Sequence, residues 1–244
     1  MSISSLFRIA IVRIASLFYM SKKSKVIFYH DIHSDKKYTD MSTPIELFKK
    51  HIKIIRENGY EIVNEITNSH RQIEICFDDA FLGLYDNIEL IKEQNIFIHL
   101  FVISSFLEKE KHISAEQLLE LNSISQLKVS SHTKSHKILN CISENETAQE
   151  LQDSKNELES VINQDISSLC FPEGKFNSYV ITNAIKLGYT KLYSSLPGFY
   201  IDEFLPNVKR RSLVQFAGEE EFKAILKGGD HVLSFWYRFK HFKK

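Results

Sequence analysis

The 244-residue sequence is poor in cysteine, glycine and proline. It contains three cysteines, eight glycines and four prolines, a composition that excludes collagen-like and low-complexity chains. Cys76, Cys141 and Cys170 form neither a CxxC pair nor an even set for a disulfide framework. The chain has ten histidines, so any metal site is expected to use imidazole and carboxylate ligands.

The chain also lacks a net charge. Lysine plus arginine and aspartate plus glutamate both number 31, so no overall field attracts polyanions, and nucleic acid is not an expected partner. Hydrophobic residues make up 43% of the chain, and its length fits one or two folded domains. We expect one domain over residues 25–244, preceded by an amphipathic segment over residues 1–24.

No apolar run near the start of the sequence is long enough for a membrane-spanning helix. Such a helix needs ~18 apolar residues, whereas Arg8 and Arg13 interrupt the first twenty. A cleaved secretory signal is also disfavoured, because Arg13 lies inside the apolar stretch and no small residues end it. We therefore expect a cytoplasmic protein or one at the membrane periphery, with an extracytoplasmic location as the alternative.

Residues 1–20 predict an amphipathic helix with two candidate partners. Lys22, Lys23 and Lys25 follow its apolar stripe, as in helices that lie on anionic membranes. Docking on the chain's own core is an equal alternative, because an amphipathic pattern does not identify its apolar partner. The predicted stripe consists of Leu6, Ile9, Ile14, Leu17 and Phe18.

Beyond this segment, short β-rich runs alternate with amphipathic stretches. The alternation predicts a parallel sheet, open or closed into a barrel, with chemistry at the carboxyl ends of the strands. The predicted strands are 25–29, 72–77, 97–103, one that begins at 127–129, 168–171 and 191–193. The predicted helices are 44–58, 80–94, 115–123, 144–163 and 178–187.

Polar side chains follow two of the predicted strands. Asp78 and Asp79 come directly after one strand, and His132 and His136 come just after another. A carboxylate with two imidazoles can bind a metal and leave positions open for water and substrate. Taken separately, the aspartates also fit a solvated turn, and the histidines fit unrelated positions.

Three short motifs occur in an order that resembles a known family. Residues 76–80 (CFDDA) resemble its T-F-D-D-G motif, residues 131–136 (SHTKSH) its S-H-[ST]-x-x-H motif, and residues 170–174 (CFPEG) its Y-P-Y-G segment. The family is that of the NodB-type polysaccharide deacetylases, carbohydrate esterase family 4. Residues 26–30 (VIFYH) resemble the branch in which the catalytic histidine lies near the N-terminus of the domain.

This resemblance covers residues 25–211 and implies an α/β fold, a distorted, incomplete (β/α)7 barrel. It implies a divalent metal, with zinc favoured, and a role for each matching residue. The implied roles are Asp79, His132 and His136 as metal ligands, Asp78 as general base, His30 as candidate general acid, Arg211 as support for Asp78, and Phe171, Pro172, Glu173 and Gly174 as the substrate and oxyanion segment. Cys76, Ala80 and Glu173 depart from the threonine, glycine and aromatic residue that the family often has.

The resemblance implies a metal-dependent hydrolase that acts on carbon–nitrogen bonds other than peptide bonds. It would remove acetyl groups, N-acetyl in preference to O-acetyl, from sugars of a polysaccharide or glycan precursor. The expected partner is an acetylated glycan, with peripheral membrane contact through residues 1–20 as a second candidate, and nothing in the sequence indicates an oligomeric state. The alternatives are a catalytically silent glycan-binding barrel and a metal-dependent small-amide hydrolase.

Overall fold

The computed structural model describes residues 3–19, 21–202 and 205–242. The strands are β1 (Lys25–Tyr29), β2 (Asp31–His33), β3 (Ser42–Pro44), β4 (Glu61–Val63), β5 (Gln72–Asp78), β6 (Ile98–Val102), β7 (Leu127–Ser131), β8 (Ser168–Cys170), β9 (Lys191–Tyr193), β10 (Val208–Lys209) and β11 (Ser212–Leu213). The α-helices are α1 (Ile3–Tyr19), α2 (Ile45–Glu57), α3 (Leu82–Asp86), α4 (Ile88–Glu93), α5 (Ala115–Asn122), α6 (Glu144–Ile162), α7 (Ser178–Lys186), α8 (Glu219–Leu226) and α9 (Ser234–His241). Short 3₁₀ helices span Ser104–Phe106, Leu139–Cys141, Pro172–Gly174 and Gly229–Leu233.

Nine of these strands form one parallel sheet. Its order is β10-β9-β8-β7-β6-β5-β1-β11, with β4 beside the first part of β5, while β2 and β3 pair separately. The two end strands, β10 and β11, are joined in sequence by only Arg210 and Arg211. The sheet therefore curves into an arc whose edges come close at these arginines. The predicted α/β fold with an incomplete barrel is confirmed. The sheet has nine strands rather than the predicted seven, and three of them, β4, β10 and β11, contribute pairings of only two or three residues.

Alternation along the strands separates two hydrophobic layers. Ile75 and Phe77 of β5 belong to the large core beneath the helices, whereas Cys76 belongs to a second cluster inside the arc. The inner cluster consists of Val26, Phe28, Ile66, Cys76, Phe101, Cys170 and Tyr193. Asp78 is in phase with Cys76, so this alternation places its side chain at the top of the arc's interior.

The predicted helices agree with the structure except over residues 80–94, and α8 and α9 were not predicted. Over residues 80–94 we expect one helix, but the structure has α3 and α4, which are separated at Asn87. Asn87 has φ −114° and ψ 21°, and its side-chain Nδ2 donates to the Gly83 carbonyl at 2.8 Å. Asparagine readily bonds nearby backbone in this way, and the bond competes with a continuous helix. The prediction of one helix is therefore wrong.

Helix α1 packs on the chain's own core and also leaves an apolar surface exposed. It lies against α8 and the 3₁₀ helix Gly229–Leu233, with Val12 and Ser16 buried at that contact. Leu17 and Phe18 of the predicted stripe are 69% and 84% exposed, so the face that docks is a different one. Within the described ranges, no helix combines the length and apolarity needed to cross a membrane.

Candidate active site

Asp78 ends β5, and its carboxylate is held by Arg211. The Arg211 Nη1 and Nη2 atoms donate to Asp78 Oδ1 and Oδ2 at 2.7 and 2.8 Å, and both side chains are buried. Burial alone would raise the Asp78 pKa, but the charge and hydrogen bonds of Arg211 outweigh it and hold that pKa well below its usual range. Asp78 is therefore ionised at neutral pH.

The next residues turn the chain through unusual backbone conformations. Asp79 has φ 72° and Ala80 has φ 56°, the left-handed region that favours glycine. Ala80 thus adopts positive φ without the glycine of the related motif. The turn directs the Asp79 side chain back toward the end of β7, where His132 and His136 follow.

Asp79, His132 and His136 bring one ligand atom each to a common point. Asp79 Oδ1 lies 3.4 Å from His132 Nε2 and 3.7 Å from His136 Nε2. Ligands ~2.0–2.2 Å from one tetrahedral ion stand roughly 3.3–3.6 Å apart. The Asp79 Oδ1 atom is buried, and among the described residues it has no hydrogen-bond partner. This convergence of three lone-pair donors fits a divalent cation.

A hydrogen bond to a residue outside the Asp79, His132 and His136 set fixes the orientation of His132. Its Nδ1 bonds the Cys170 carbonyl at 2.9 Å, so Nδ1 carries the hydrogen and Nε2 is left to face Asp79. Burial lowers the His132 pKa to about 4, against the opposing charges of Asp78 and Asp79. The imidazole is therefore neutral at physiological pH, which is the state that binds metals.

Hydrogen bonds from small polar side chains stabilise the loop between His132 and His136. Ser131 Oγ accepts from the Thr133 backbone N–H at 3.1 Å, and Thr133 Oγ1 accepts from the His136 backbone N–H at 3.1 Å. Ser135 donates through its backbone N–H and its hydroxyl to Glu150 of α6. These contacts hold Thr133 and His136 at φ 66° and 60°, and so fix the second imidazole beside the first.

His30 lies at the end of β1 and pairs with a residue that the sequence did not single out. Its Nδ1 lies 2.6 Å from Gln215 Oε1. An amide oxygen only accepts, so this bond places a hydrogen on Nδ1 and leaves Nε2 for another partner. Gln215 follows the two-residue strand β11, which is too short to show a pattern, and its position next to β1 depends on the closure of the sheet.

In the 171–174 segment, one backbone donor has no hydrogen-bond partner among the described residues. The Phe171 N–H donates to the Tyr193 carbonyl at 3.0 Å, and the Gly174 N–H donates to the Phe171 carbonyl at 2.8 Å. Pro172 has no N–H, which leaves Glu173, a residue with φ 53°. The Glu173 carboxylate is exposed and pairs with Lys175 at 2.6 Å, which lowers its pKa.

These groups share a cavity of about 580 Å³ at the carboxyl ends of the strands. Its volume is in the range of small-molecule sites. The polar base of the cavity contains Asp78, Asp79, His132, His136, His30 and Arg211, and its walls include Phe171, Glu173, Gly174, Gln215, Phe216, Tyr237 and His241. The structure thus brings together the sequence-predicted residues, while the contribution of Gln215 had no sequence signal.

The fold and the cavity together define an incomplete α/β barrel with a polar centre of carboxylates and imidazoles at the carboxyl ends of its strands. The family model described as polysaccharide deacetylase matches residues 65–192, just over half of the chain. The chain therefore belongs to the polysaccharide deacetylase family, and the resemblance found in the three motifs is confirmed.

Individual relatives agree with this assignment. A Bacillus subtilis (strain 168) protein named as a polysaccharide deacetylase, YxkH, is 25% identical over 187 residues. That alignment covers 72% of this chain and 66% of the relative, so this chain matches just under two thirds of that protein's length.

Solved structures show the same fold at low sequence identity. The Streptococcus pyogenes deacetylase PplD, determined in complex with acetate, has a TM-score of 0.74 at 18% identity, covering 84% of this chain and 99% of PplD. A polysaccharide deacetylase from Bacillus cereus has a TM-score of 0.73 at 21% identity, covering 84% and 69%. IcaB from Ammonifex degensii has a TM-score of 0.73 at 15% identity, covering 86% and 99%.

Proposed function

We propose that this protein is a metal-dependent deacetylase that removes acetyl groups, N-acetyl in preference to O-acetyl, from sugars of a polysaccharide or glycan precursor. The observation that carries the proposal is the convergence of Asp79, His132 and His136 beside the ionised Asp78 in one cavity. The family assignment supports deacetylation, and the arrangement of side chains supports the dependence on metal.

Asp79, His132 and His136 are the residues that would hold the metal. Two imidazoles and one carboxylate suit zinc, and three protein ligands are typical of catalytic rather than structural zinc sites. When bound, a divalent metal supplies a Lewis acid, which acidifies water at neutral pH and attracts negative charge that develops on a carbonyl oxygen.

Asp78 is the proposed general base. Arg211 fixes both of its oxygens in place, and each oxygen keeps lone-pair capacity for a second hydrogen bond. A carboxylate with a lowered pKa is a weak base, so Asp78 takes the proton only as the attacking water bonds to the acetyl carbon. The role of Arg211 is to keep this carboxylate ionised and oriented.

Two further groups complete the proposed reaction. The backbone N–H of Glu173 donates to the acetyl oxygen as negative charge develops there. His30, with a hydrogen on each ring nitrogen, then gives its Nε2 proton to the leaving nitrogen while its Nδ1–H stays bonded to Gln215 Oε1. An amine leaves far more readily once protonated, and this need for an acid favours N-acetyl substrates for a site that contains His30.

The test measures bound metal together with acetate release from N-acetylglucosamine oligomers and from a generic acetyl ester. Asp78→Asn should retain metal and lose acetate release by at least about 100-fold, because the base is removed without a ligand. His132→Ala should lose both metal and activity. His70→Ala, at an exposed histidine outside the cavity, is the matched control and should lose neither.

Two other outcomes would assign a different function, and a third would contradict the proposed mechanism. Bound metal without acetate release from any substrate would indicate a silent glycan-binding barrel. Release from small amides or esters but not from oligomers would indicate a small-amide hydrolase. Acetate release that Asp78→Asn leaves unchanged would contradict the role of Asp78 as the base.

A further inference from the structure

Exposed hydrophobic side chains are concentrated on one surface. Of the fifteen large hydrophobic residues that are exposed in the described part of the chain, ten belong to α1 or to the segment 232–239. We name these ten residues the apolar face. They are Leu6, Phe7, Ile14, Leu17, Phe18, Tyr19, Val232, Phe235, Trp236 and Phe239.

The two parts of the apolar face adjoin each other. Helix α1 packs so closely on the 3₁₀ helix Gly229–Leu233 that a Cβ on Gly229 would lie 2.1 Å from the Val12 carbonyl oxygen. The rings of Tyr19 and His231 are 5.6 Å apart. Helix α9 begins directly after this 3₁₀ helix, so the exposed side chains of α1 and α9 flank one shared contact.

The two segments that contribute the apolar face carry charges of one sign only. Residues 3–19 and 231–242 contain no aspartate or glutamate, although the chain as a whole is neutral. Arg13, Lys22 and Lys240 are exposed at this surface. Arg8 and Lys23 pair with Glu221 and Asp202 of other segments. The surface therefore combines apolar side chains with an excess of positive charge.

The aromatic residues are of the kind found at membrane interfaces. Trp236, the single tryptophan of the chain, is 75% exposed. Phe235 and Phe239 lie on the same helix with ring centroids 4.9 Å apart. Tryptophan and phenylalanine beside lysine and arginine are typical of helices that lie in the interface of a bilayer.

We propose that the apolar face docks the protein on an anionic lipid bilayer. Basic side chains around it match the negative surface of such a bilayer. A symmetric dimer through the same face would instead bring one positively charged surface against another, which is unfavourable. The observations therefore favour a lipid surface over a second copy of the chain.

Docking would place the catalytic cavity beside the lipid. Helix α9 presents Phe235, Trp236 and Phe239 outward, while Tyr237 and His241 line the cavity. Phe216, which is 59% exposed, also lines the cavity. This arrangement suits an acetylated glycan that is attached to a lipid or held close to a bilayer, an extension that rests on the proposed function, whereas the docking itself does not.

The test uses Trp236 as an intrinsic reporter in the full chain. With vesicles of phosphatidylcholine and phosphatidylglycerol, its emission should shift to the blue and be quenched by brominated acyl chains. Vesicles of phosphatidylcholine alone should bind more weakly. The triple variant Phe18→Ser, Phe235→Ser, Phe239→Ser keeps the reporter and should partition at least about tenfold less, because three exposed aromatic side chains no longer enter the interface.

A matched control removes exposed apolar side chains elsewhere. Leu119→Ser with Ile185→Ser changes α5 and α7, where these residues are 50% and 44% exposed, and should partition like the wild type. Arg13→Gln with Lys22→Gln should weaken binding to the anionic vesicles alone. Acetate release from soluble oligomers should be unchanged in all of these variants.

Three results would overturn the docking proposal. They are Trp236 emission that anionic vesicles leave unchanged, an equal loss of binding in the control variant, and a lipid-free dimer that the triple variant dissociates. The last result would assign the apolar face to a second copy. Vesicle binding without acetate release by the wild type would contradict the proposed function and leave the docking in place.

Discussion

At the scale of single residues, Asp78 and His30 of the cavity are held by partners of different charge. Asp78 meets a permanently charged guanidinium, whereas His30 meets the neutral side-chain amide of Gln215. A guanidinium keeps the carboxylate ionised, and an amide oxygen orients the imidazole without adding a charge. In the proposed mechanism, Gln215 is therefore a positioning residue for His30, one that acts on the reaction through the ring it holds.

Replacing Gln215 tests this positioning role. Gln215→Leu removes the acceptor for His30 Nδ1, so the ring loses its fixed orientation, and we expect kcat to fall on the order of 10- to 100-fold. KM and bound metal should change little, because Gln215 contacts none of the proposed ligands in the described structure. Gln152→Leu, a change on the surface of α6, is the control. A loss of metal equal to the loss of kcat would contradict the assignment.

Residues that follow strands were predictable, and residues that depend on closure of the sheet were not. Asp78, Asp79 and His132 each follow a strand with a readable hydrophobic pattern, and the parallel sheet brings such strand ends together. Gln215 follows a strand of two residues that carries no pattern. Arg211 was singled out through the family resemblance alone, because two adjacent arginines by themselves fit a solvated surface.

At the scale of secondary-structure elements, a close approach fixes α3 beneath the site. Gly83 of α3 lies against β2, and a Cβ on Gly83 would come within 2.2 Å of the Ile32 carbonyl oxygen. No side chain larger than hydrogen fits there without movement of the backbone. Helix α3 follows the Asp79–Ala80 turn directly, so its position also limits where that turn lies.

Substitution of Gly83 tests this contact. Gly83→Ala should force α3 away from β2 and lower the free energy of unfolding by about 1–3 kcal/mol, the usual cost of overpacking. Urea denaturation of the metal-free protein would measure it. Gly218→Ala is the control, since a Cβ there meets nothing within 4 Å, and its cost at a helix N-cap should stay below about 1 kcal/mol. Equal midpoints for the two variants would contradict a tight contact at Gly83.

The helices and strands that were predicted correctly show a periodic spacing of apolar residues within their own sequence. Helix α2 buries Phe48, Ile52 and Ile55 on one face, and this spacing is visible in the sequence. The division between α3 and α4 depends instead on one side-chain bond from Asn87, which no apolar pattern reports. Strands β2, β3 and β4 have three residues each and are identified only by their partners. The boundary at residue 24 between a segment and a domain stays a prediction.

At the scale of the whole molecule, buried neutral histidines link folding to pH. His51 accepts a hydrogen bond from the Tyr29 hydroxyl at 2.8 Å and donates to the Ala217 carbonyl at 2.8 Å. Burial lowers its pKa from 6.5 to about 4, opposed by the Ala217 carbonyl and the charge of Glu219. The His132 pKa is also lowered to about 4. Both histidines are therefore neutral in the folded metal-free protein over a range in which the unfolded chain is protonated.

This difference predicts a loss of stability in mild acid. Between pH 6.5 and about 4 the unfolded state binds more protons at His51, so the free energy of unfolding falls as the pH falls, by up to about 1.4 kcal/mol per pH unit for each such histidine. In His51→Gln that contribution is absent, so the stability difference from the wild type should shrink across this range. Urea unfolding in the presence of a chelator would measure it. A difference that stays constant from pH 7 to pH 4 would contradict the prediction.

The short connection between β10 and β11 has a consequence for the order of events during synthesis. Asp78 and Arg211 are 133 residues apart in sequence, and β11 pairs with β1, the first strand of the chain. A ribosome makes Asp78 long before Arg211, so neither the Asp78–Arg211 ion pair nor the β1–β11 pairing can form until the segment 211–213 has been made. Such long-range contacts form late and slowly. Three consecutive residues, Arg211 and the two of β11, thus supply both the partner of Asp78 and the last pairing of the sheet.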